Sequence, residues 1–394
     1  MHFNNIIIPQ KYSKADKQLA LREKRIRLNL TQKQLADMIR LQKYGDRTIR
    51  RWERGESSPS ELVFHAIMNI PEMPSFKDNS KKDWTMIDLF AGIGGTRLGF
   101  QLTERVKTVF SSEWDKYAAQ TYEANFGEQP AGDITKIASE MIPDHDILVG
   151  GFPCQAFSQA GLKRGFDDVR GTLFFEVARI VQDKRPRAFL LENVKNLLSH
   201  DKGKTFKVIK HTLEDMNYTV YSSTFRARDF GVPQNRERVY IVGFCNNQVT
   251  NADMFAMPIP PKTRTCVGEI LEHNVSDKFT ISDTLWKGHQ RRLREHKAKG
   301  NGFGYSLFNA KSEYTNTLSA RYYKDGSEIL IEQKNKNPRK ITPREAARLQ
   351  GFPEEYRIVV SDTQAYKQFG NSVCVPVIKA IAEQILKVLD ANGK

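Results

Sequence analysis

A short loop around one cysteine is the segment of this chain best suited to nucleophilic chemistry. The run GGFPCQ at 150–155 follows an apolar stretch that ends at Val149. Its glycines and proline predict that Cys154 lies on a turn outside the strand, where a thiolate is exposed enough to attack. A lone cysteine is more often a small buried hydrophobic residue. The position directly after Pro153 favours a nucleophile.

Charged side chains lie at the ends of two further apolar stretches. Glu192 follows the predicted strand 188–191, and a desolvated carboxyl group at such an edge can hold a proton near neutral pH. The run QNRER at 234–238 brings Arg236 and Arg238 to the beginning of another strand. For Arg236 taken alone, an ordinary surface charge is the favoured interpretation.

A glycine-rich turn, DLFAGIGG at 88–95, ends the first predicted strand and allows a ligand to approach the backbone. Glu113 and Trp114 end the next strand, about 20 residues on, where an acid can bind ribose hydroxyls and an indole can face a purine. Asp133 could offer a carboxylate to an exocyclic amine. Each of these three elements could instead have a structural role: the glycines in tight packing, Trp114 in the core and Asp133 as a helix cap. These alternatives are less favoured because the three elements occur in the order expected for a binding site.

Short apolar stretches alternate with helical ones from Thr85, which predicts an α/β, doubly wound, Rossmann-like sheet. This rhythm ends after Cys245, and the Asn-, Lys-, Arg- and Gly-rich stretch that follows predicts a smaller, irregular domain. Helical patterns return at 343–349 and 375–389. The predicted division is an all-α domain at 1–75, a linker at 76–84, a catalytic domain at 85–245 and the irregular domain at 246–340. A C-terminal part at 341–394 is predicted to complete the catalytic domain. The predicted strands are 85–90, 106–111, 147–149, 188–191 and 239–242.

The composition narrows the class of protein. The chain of 394 residues has 61 Lys and Arg against 46 Asp and Glu, a net charge of +15, which suits a polyanionic partner. No run reaches the ~18 apolar residues of a membrane span, which predicts a cytosolic, nucleoid-associated protein without a membrane partner. Four cysteines without C-x-x-C spacing predict neither a zinc site nor a disulfide framework.

Five motifs resemble, in this order, the motif set of the DNA (cytosine-5)-methyltransferases. They are FAGIGG at 90–95, GFPCQ at 151–155, ENV at 192–194, QNRER at 234–238 and GNSV at 370–373. The resemblance runs from about Thr85 to Leu389 and implies S-adenosylmethionine as methyl donor. It also implies transfer to C5 of a cytosine flipped out of double-stranded DNA, by a monomer at the methylation site.

The resemblance implies a role for each matching residue. Cys154 adds to C6 of cytosine, Glu192 binds N3 and the exocyclic amine, and Arg238 holds O2 with support from Arg236. The loop that begins at Cys154 closes over the DNA. The implied cofactor contacts are Asp88, Phe90, Ala91, Gly92, Gly94, Gly95, Glu113, Trp114, Asp133, Ile134, Pro153, Leu173, Asn371, Ser372 and Val373; for Asn371 the alternative is to begin the last helix.

The segment 316–330 resembles target domains of methylases that act on the inner cytosine of CCNGG or CCWGG. Arg321 and Lys324 could bind guanine O6 and N7, although phosphate contact is an alternative that is at least as good for Lys324. The predicted DNA contacts of the catalytic part are Gln155, Ser158, Thr317, Arg321, Tyr322 and Lys324.

The N-terminal part resembles the helix-turn-helix of phage repressors. The run TQKQLA at 31–36 predicts a capped helix, and TIRRWERG at 48–55 a second helix that a glycine ends. By this match Asp46, Arg47 and Arg51 face the major groove and Gln32 a phosphate. A longer turn at 41–45 could shift these contacts by one position. A purely structural helical bundle is the alternative.

These features together predict an enzyme that protects DNA from a cognate restriction endonuclease. Its N-terminal domain is expected to repress its own restriction-modification operon from a separate operator, bound as a monomer or a dimer. The alternatives are a transcriptional regulator on a methylase scaffold and an RNA cytosine-5 methyltransferase. The presence of Cys154, Glu192 and Arg238 disfavours the first, and the long segment 246–340 disfavours the second.

Overall fold

The chain forms two compact units, Met1–Pro74 and Ser75–Lys394, in a computed structural model. The structure describes residues 14–28, 30–41, 44–70, 74–78, 83–152, 173–302 and 304–393. Within these ranges no helix is long and apolar enough to cross a membrane. The same ranges hold no group of three or more His, Cys, Asp or Glu side chains placed to bind a metal ion.

The N-terminal unit consists of helices around a small apolar core. The helices are α1 (Lys14–Arg27), α2 (Gln32–Met38), α3 (Gly45–Glu53) and α4 (Glu61–Met68). Thr31 and Gln34 form a capping box at the start of α2. A Cβ on Gly45 would lie 2.7 Å from that of Ala36, so glycine permits the close approach of α2 and α3. Helix α3 begins at Gly45, three residues before the predicted start at Thr48. The core residues are Leu21, Leu35, Ile49, Trp52, Phe64 and Ile67.

The larger unit is built on a sheet of six strands in the order β2-β1-β3-β4-β6-β5. Strands β1 to β4 pair in parallel, whereas β6 is antiparallel to both β4 and β5. The predicted α/β architecture is confirmed, although the sheet is mixed rather than wholly parallel. The strands are β1 (Trp84–Leu89), β2 (Val106–Ser112), β3 (Ile147–Gly151), β4 (Ala188–Val194), β5 (Tyr218–Arg226) and β6 (Glu237–Cys245).

Helices cover both faces of this sheet because successive strand residues point to opposite sides. The remaining helices are α5 (Gly95–Gln101), α6 (Lys116–Phe126), α7 (Leu173–Lys184), α8 (Lys204–Asp215), α9 (Asp283–Ala298), α10 (Pro343–Arg348), α11 (Asp362–Asn371) and α12 (Val375–Asn392). Leu190 and Val242 pack with α12 on one face. Phe189, Leu191 and Ile241 pack with α7 and α8 on the other.

The segment 246–340, predicted as a smaller irregular domain, lies in the same compact unit as the sheet. It contains the 16-residue helix α9 and a small sheet of β7 (Leu307–Phe308), β8 (Leu330–Ile331) and β9 (Arg339–Lys340). Its buried side chains Val267, Leu318 and Tyr322 belong to one cluster with residues of α6, α10 and α11. Residues 316–330, the recognition segment, therefore share a core with these helices.

Two further predicted boundaries differ from the structure. Within the predicted linker, Phe76 packs against the core of the larger unit and Asp78 pairs with the fully buried Arg97 at 2.8 Å. Trp84 already belongs to β1. Asn371 ends α11, and Cys374 is the residue that precedes α12, so Asn371 does not begin the last helix.

Gly243 provides a test of how tightly the central strands are packed. A Cβ there would lie 2.1 Å from Cζ of Phe189, which is fully buried on β4. We expect Gly243→Ala to lower the free energy of unfolding by about 1–3 kcal/mol through overpacking. The matched control is Gly288→Ala on α9, where a Cβ meets nothing within 4 Å. Because alanine favours the helix over glycine, this control should raise the free energy of unfolding by up to ~1 kcal/mol. Urea denaturation midpoints that move in the same direction for both variants would contradict this account.

Candidate active site

Three strand ends meet at one edge of the sheet. Gly151 of β3 pairs with Glu192 of β4, and Val194 of β4 is opposite Arg238 of β6. A Cβ on Gly151 would lie 3.5 Å from Oε2 of Glu192, so this carboxyl group lies against the strand that leads to the Cys154 loop. The predicted residues Pro153, Cys154, Gln155 and Ser158 lie outside the described residues, as does most of the loop.

Glu192 and Arg238 form the central ionisable pair of this edge. Their side chains are 14% and 15% exposed, and Nε of Arg238 lies 3.1 Å from Oε1 of Glu192. Burial raises the pKa of Glu192, and the positive charges of Arg238 and Arg236 oppose this rise. Oε1 is buried and makes no hydrogen bond of proper geometry within the described residues. The carboxyl group thus retains hydrogen-bonding capacity for a ligand and binds a proton more readily than an exposed glutamate.

Asn193 fixes the stem of the cysteine loop. Its buried side chain donates from Nδ2 to the carbonyl oxygen of Phe152 at 2.7 Å and accepts from the N–H of Val194 at 2.9 Å. Sequence reasoning did not assign it a role, although it follows Glu192 in the same motif. Asn193 orients the backbone from which Cys154 emerges.

Arg236 is buried, which corrects its interpretation as an ordinary surface charge. Its guanidinium group donates to the carbonyl oxygens of Leu318 (3.2 Å), Gly370 (3.2 Å) and Ser372 (2.6 Å). Burial, and next the charge of Arg238, lower its pKa to about 10, so it remains a cation at neutral pH. Arg236 is a positioning residue that ties β6 to the recognition segment and to the start of α12.

Gln234 makes a second such connection that sequence reasoning missed. Its side-chain oxygen accepts from the N–H of Leu318 at 2.8 Å, and its amide group donates to the carbonyl oxygen of Leu349. The run QNRER gives no signal for this role, because the burial that obliges Gln234 to satisfy its polar atoms internally is visible only in the structure. Gln234 and Arg236, two positions apart in the chain, therefore both bind the backbone of Leu318 in the recognition segment.

The predicted cofactor turn has the backbone geometry of a ligand cradle. Phe90, Gly92 and Gly94 all have positive φ, at 54°, 55° and 78°. The N–H of Gly92 donates to Glu113 at 2.8 Å, so the acid at the end of β2 lies against the turn. Trp114 is 81% exposed, which excludes core packing and leaves an indole face available at this edge. These features fit a nucleoside with hydroxyl groups and a flat base.

The other predicted cofactor residues surround this turn or support it. Asp88 is buried, Oδ2 has no hydrogen-bond partner within the described residues, and burial raises its pKa to about 7. A Cβ on Gly95 would lie 2.7 Å from Oγ of Ser372 and 3.0 Å from Val373, so the segment 370–373 packs directly on the turn.

Asp133 accepts from the N–H of Thr135 at 3.1 Å, and the predicted alternative of a helix cap is therefore present. Its side chain is still 32% exposed. Ala91 and Ile134 are buried, and Leu173 begins α7 half-buried.

The predicted DNA contacts of the larger unit separate into exposed and buried residues. Arg321 and Lys324 are exposed, and Thr317 donates its hydroxyl to the carbonyl oxygen of Asn235 at 2.7 Å. Tyr322 is fully buried, donates to the carbonyl oxygen of Ile329 at 2.6 Å and accepts from the N–H of Ile341 at 2.8 Å. The prediction of Tyr322 as a DNA contact is wrong, because its only polar atom anchors the recognition segment.

On the N-terminal unit, Asp46, Arg47 and Arg51 are exposed on α3, as a groove-facing helix requires. Arg51 makes a loose ion pair with Glu56 at 3.7 Å. Gln32 donates to Glu53 at 2.7 Å and accepts from Arg50 at 3.2 Å, so its side chain also serves the fold of this unit.

Comparison with known proteins agrees with this geometry. Residues 84–387 match the family model of the C-5 cytosine-specific DNA methylases, and residues 21–72 match a helix-turn-helix model. The Type II methyltransferase M1.ScrFI of Lactococcus lactis subsp. cremoris is 67% identical over 376 residues, which are 95% of this chain and 97% of that protein.

Two further proteins extend the comparison. The Type II methyltransferase M.NlaX of Neisseria lactamica is 64% identical over 308 residues, 78% of this chain and 97% of the relative. The structure of the Entamoeba histolytica methyltransferase EhMeth shares the fold, with a TM-score of 0.63 and 19% identity over 80% of this chain and 100% of that one. The predicted resemblance is confirmed: the chain belongs to the C-5 cytosine-specific DNA methylases and carries an N-terminal helix-turn-helix domain.

Proposed function

We propose that this methyltransferase modifies C5 of the inner cytosine of CCNGG or CCWGG in double-stranded DNA, with S-adenosylmethionine as donor. The observation that carries the chemistry is the half-buried Glu192–Arg238 pair beside Gly151, where three strand ends meet. Relatives with the name Type II methyltransferase support DNA rather than RNA as substrate and protection from a restriction endonuclease as the purpose.

The site chemistry follows from the poor nucleophilicity of cytosine C5. The Cys154 thiolate adds to C6 while Glu192, whose pKa is raised by burial, gives a proton to N3. The C5=C6 electrons then reside in an enamine with C5 as nucleophile. S-adenosylmethionine, when bound, supplies the methyl group. Loss of the C5 proton afterwards re-forms the double bond and expels the thiolate. Arg238 orients the ring through O2 and holds Glu192 in place.

The residues around the glycine turn would hold the cofactor. Glu113 already accepts two backbone N–H groups, from Gly92 and Asp115, and its position at the end of β2 suits the ribose hydroxyls. The exposed face of Trp114 suits the adenine ring, and Asp133 its exocyclic amine. Asn371, Ser372 and Val373 complete the predicted set from the side of α11.

We further propose that the N-terminal unit represses the restriction-modification operon of this enzyme at an operator distinct from the methylation site. The supporting observation is the exposed, arginine-bearing face of α3 in a unit with its own core. A relative that matches 308 residues of this chain over 97% of its own length indicates that methylation does not require the whole chain.

Cys154→Ala should abolish methyl transfer and leave binding of S-adenosylmethionine nearly unchanged, because the thiol acts only on the base. DNA with 5-fluorocytosine at the target should trap the wild-type protein covalently, since fluorine cannot leave as the proton does. The control is Cys266→Ala, which removes a thiol that lies in the segment 246–340 and donates to the carbonyl oxygen of Ala310. An adduct that persists in Cys154→Ala, seen on denaturing gels, would exclude Cys154 as the nucleophile.

A chain that begins at Ser75 should methylate DNA and lose binding to the promoter of its own operon. The physical reason is that the two compact units have separate cores. Promoter binding is measured by gel shift, and methylation by bisulfite sequencing. The matched control is the full chain with Arg47→Ala and Arg51→Ala together, which should also lose binding to the promoter. A folded truncation that methylates no DNA would refute this division of labour.

Arg321→Ala should relax the preference for one G·C pair of the target, since loss of a bidentate guanine contact costs about 1–3 kcal/mol of discrimination. Lys324 lies three residues along the same turn. If Lys324 contacts a phosphate, Lys324→Ala should weaken binding to all DNA sequences equally. Genome-wide methylation maps of cells that express each variant measure both effects. A wild-type mark outside a CC/GG frame would overturn the target assignment and leave the reaction chemistry intact.

A further inference from the structure

The outer face of α9 carries a cationic stripe that the proposed chemistry does not use. Lys287, Arg291 and Arg294 are spaced i, i+4 and i+7, so they lie on one face of the helix, and all three are exposed. From 287 to 299 the chain has six Lys and Arg residues and one acid, Glu295. Such a stripe is either a solvated surface or a binding surface for a polyanion.

The opposite face of α9 is packed and fixes the orientation of the stripe. The ring of Trp286 lies 4.7 Å from that of Tyr305, His289 is 1% exposed, and a Cβ on Gly304 would lie 2.3 Å from Cδ1 of Leu293. The cationic face must therefore point away from the protein.

The packed face also ties α9 to the recognition segment. Arg292 donates from both Nη atoms to Oδ2 of Asp325 at 3.1 Å, and from Nη2 to Nδ1 of His289 at 2.8 Å. Because Nδ1 accepts, His289 donates from Nε2 to the carbonyl oxygen of Asp325 at 3.3 Å. Asp325 directly follows Lys324, so α9 is held beside the exposed Arg321 and Lys324.

We propose that Lys287, Arg291 and Arg294 bind the phosphates of the DNA duplex next to the bases read by the recognition segment. The proposal rests on the proposed reading of DNA by residues 316–330. Duplex DNA carries one negative charge per roughly 1.7 Å of its axis, and cations that neutralise phosphates release counterions on binding. Within the part of the chain that the structure describes, Glu295 competes for Arg291 through an exposed ion pair at 3.6 Å, and exposed pairs of this kind contribute little.

The test is the salt dependence of DNA binding by the full chain with Arg291→Gln and Arg294→Gln together. Each lost phosphate contact should reduce the slope of log K against log salt by about 0.9, hence the pair by about 2. Binding to a duplex with the mapped methylation site and to a scrambled duplex should weaken by the same factor. The contribution of the N-terminal unit is common to all proteins compared and cancels in the difference.

Two controls separate phosphate binding from other effects. Lys107→Gln with Lys387→Gln removes the same net charge from two other exposed positions, on β2 and α12, and should leave the slope unchanged. Arg291→Lys with Arg294→Lys keeps the charge and should retain the wild-type slope.

An unchanged slope in the glutamine variant, or an equal drop in the Lys107 and Lys387 control, would overturn the proposal. A selective loss of binding to the methylation site would also overturn it, because that result indicates base contacts. A failure of the CC/GG assignment or of Cys154 as nucleophile would leave the slope measurement intact, since it requires only a mapped site and no turnover.

Discussion

The arrangement of the candidate active site depends on the hydrogen bonds that the buried guanidinium group of Arg236 donates to three backbone carbonyl oxygens. It joins β6 to Leu318 in the recognition segment and to Gly370 and Ser372 ahead of α12. Hydrogen bonds to a charged group contribute about 1.5–3 kcal/mol each, and a carbonyl group left without its partner costs a similar amount. Arg236 therefore fixes Leu318 and the residues 370–372 relative to the beginning of β6.

The same burial determines the electrostatics of Glu192. Desolvation alone would keep this carboxyl group neutral, and an arginine at 3.1 Å alone would keep it ionised. The pKa of Glu192 is raised, so burial outweighs the two arginines. Their charges nevertheless limit the rise, and a carboxyl group under both influences can give up a proton to cytosine N3 and accept it again. In the proposed mechanism Arg236 would thus influence proton transfer through the pKa of Glu192.

The sequence predicted the parts of this site that lie next to strand ends. Glu113, Glu192 and Arg238 follow or precede apolar runs, and such runs identify parallel strands and the shared edge where they end. The strand Tyr218–Arg226 was missed because most of its residues are only half-buried, so its pattern is not that of a core strand. Helix α9 was missed because its charged sequence resembles that of a loop.

The roles of Arg236 and Tyr322 depend on partners that no local pattern reveals. The acceptors of Arg236 lie 82, 134 and 136 residues away, and they are backbone carbonyl groups, which have no residue type to recognise. Tyr322 lies between exposed Arg321 and Lys324 in a turn, and its burial follows only from the core it shares with α10 and α11. Short-range patterns therefore identify reactive groups, whereas the long-range contacts determine which of them face a ligand.

The N-terminal unit orients its own DNA-binding helix through internal contacts. Glu53, at the end of α3, is buried and accepts from Arg25 of α1 and from Gln32 of α2. Removal of one partner would leave a buried charge uncompensated, so these contacts strongly favour one orientation of α3 within the unit. These contacts position the helix that presents Arg47 and Arg51 from within its own unit. Under the proposed division of labour, substitutions on the exposed face of this helix would change the operator preference and leave the contacts of Arg236 intact.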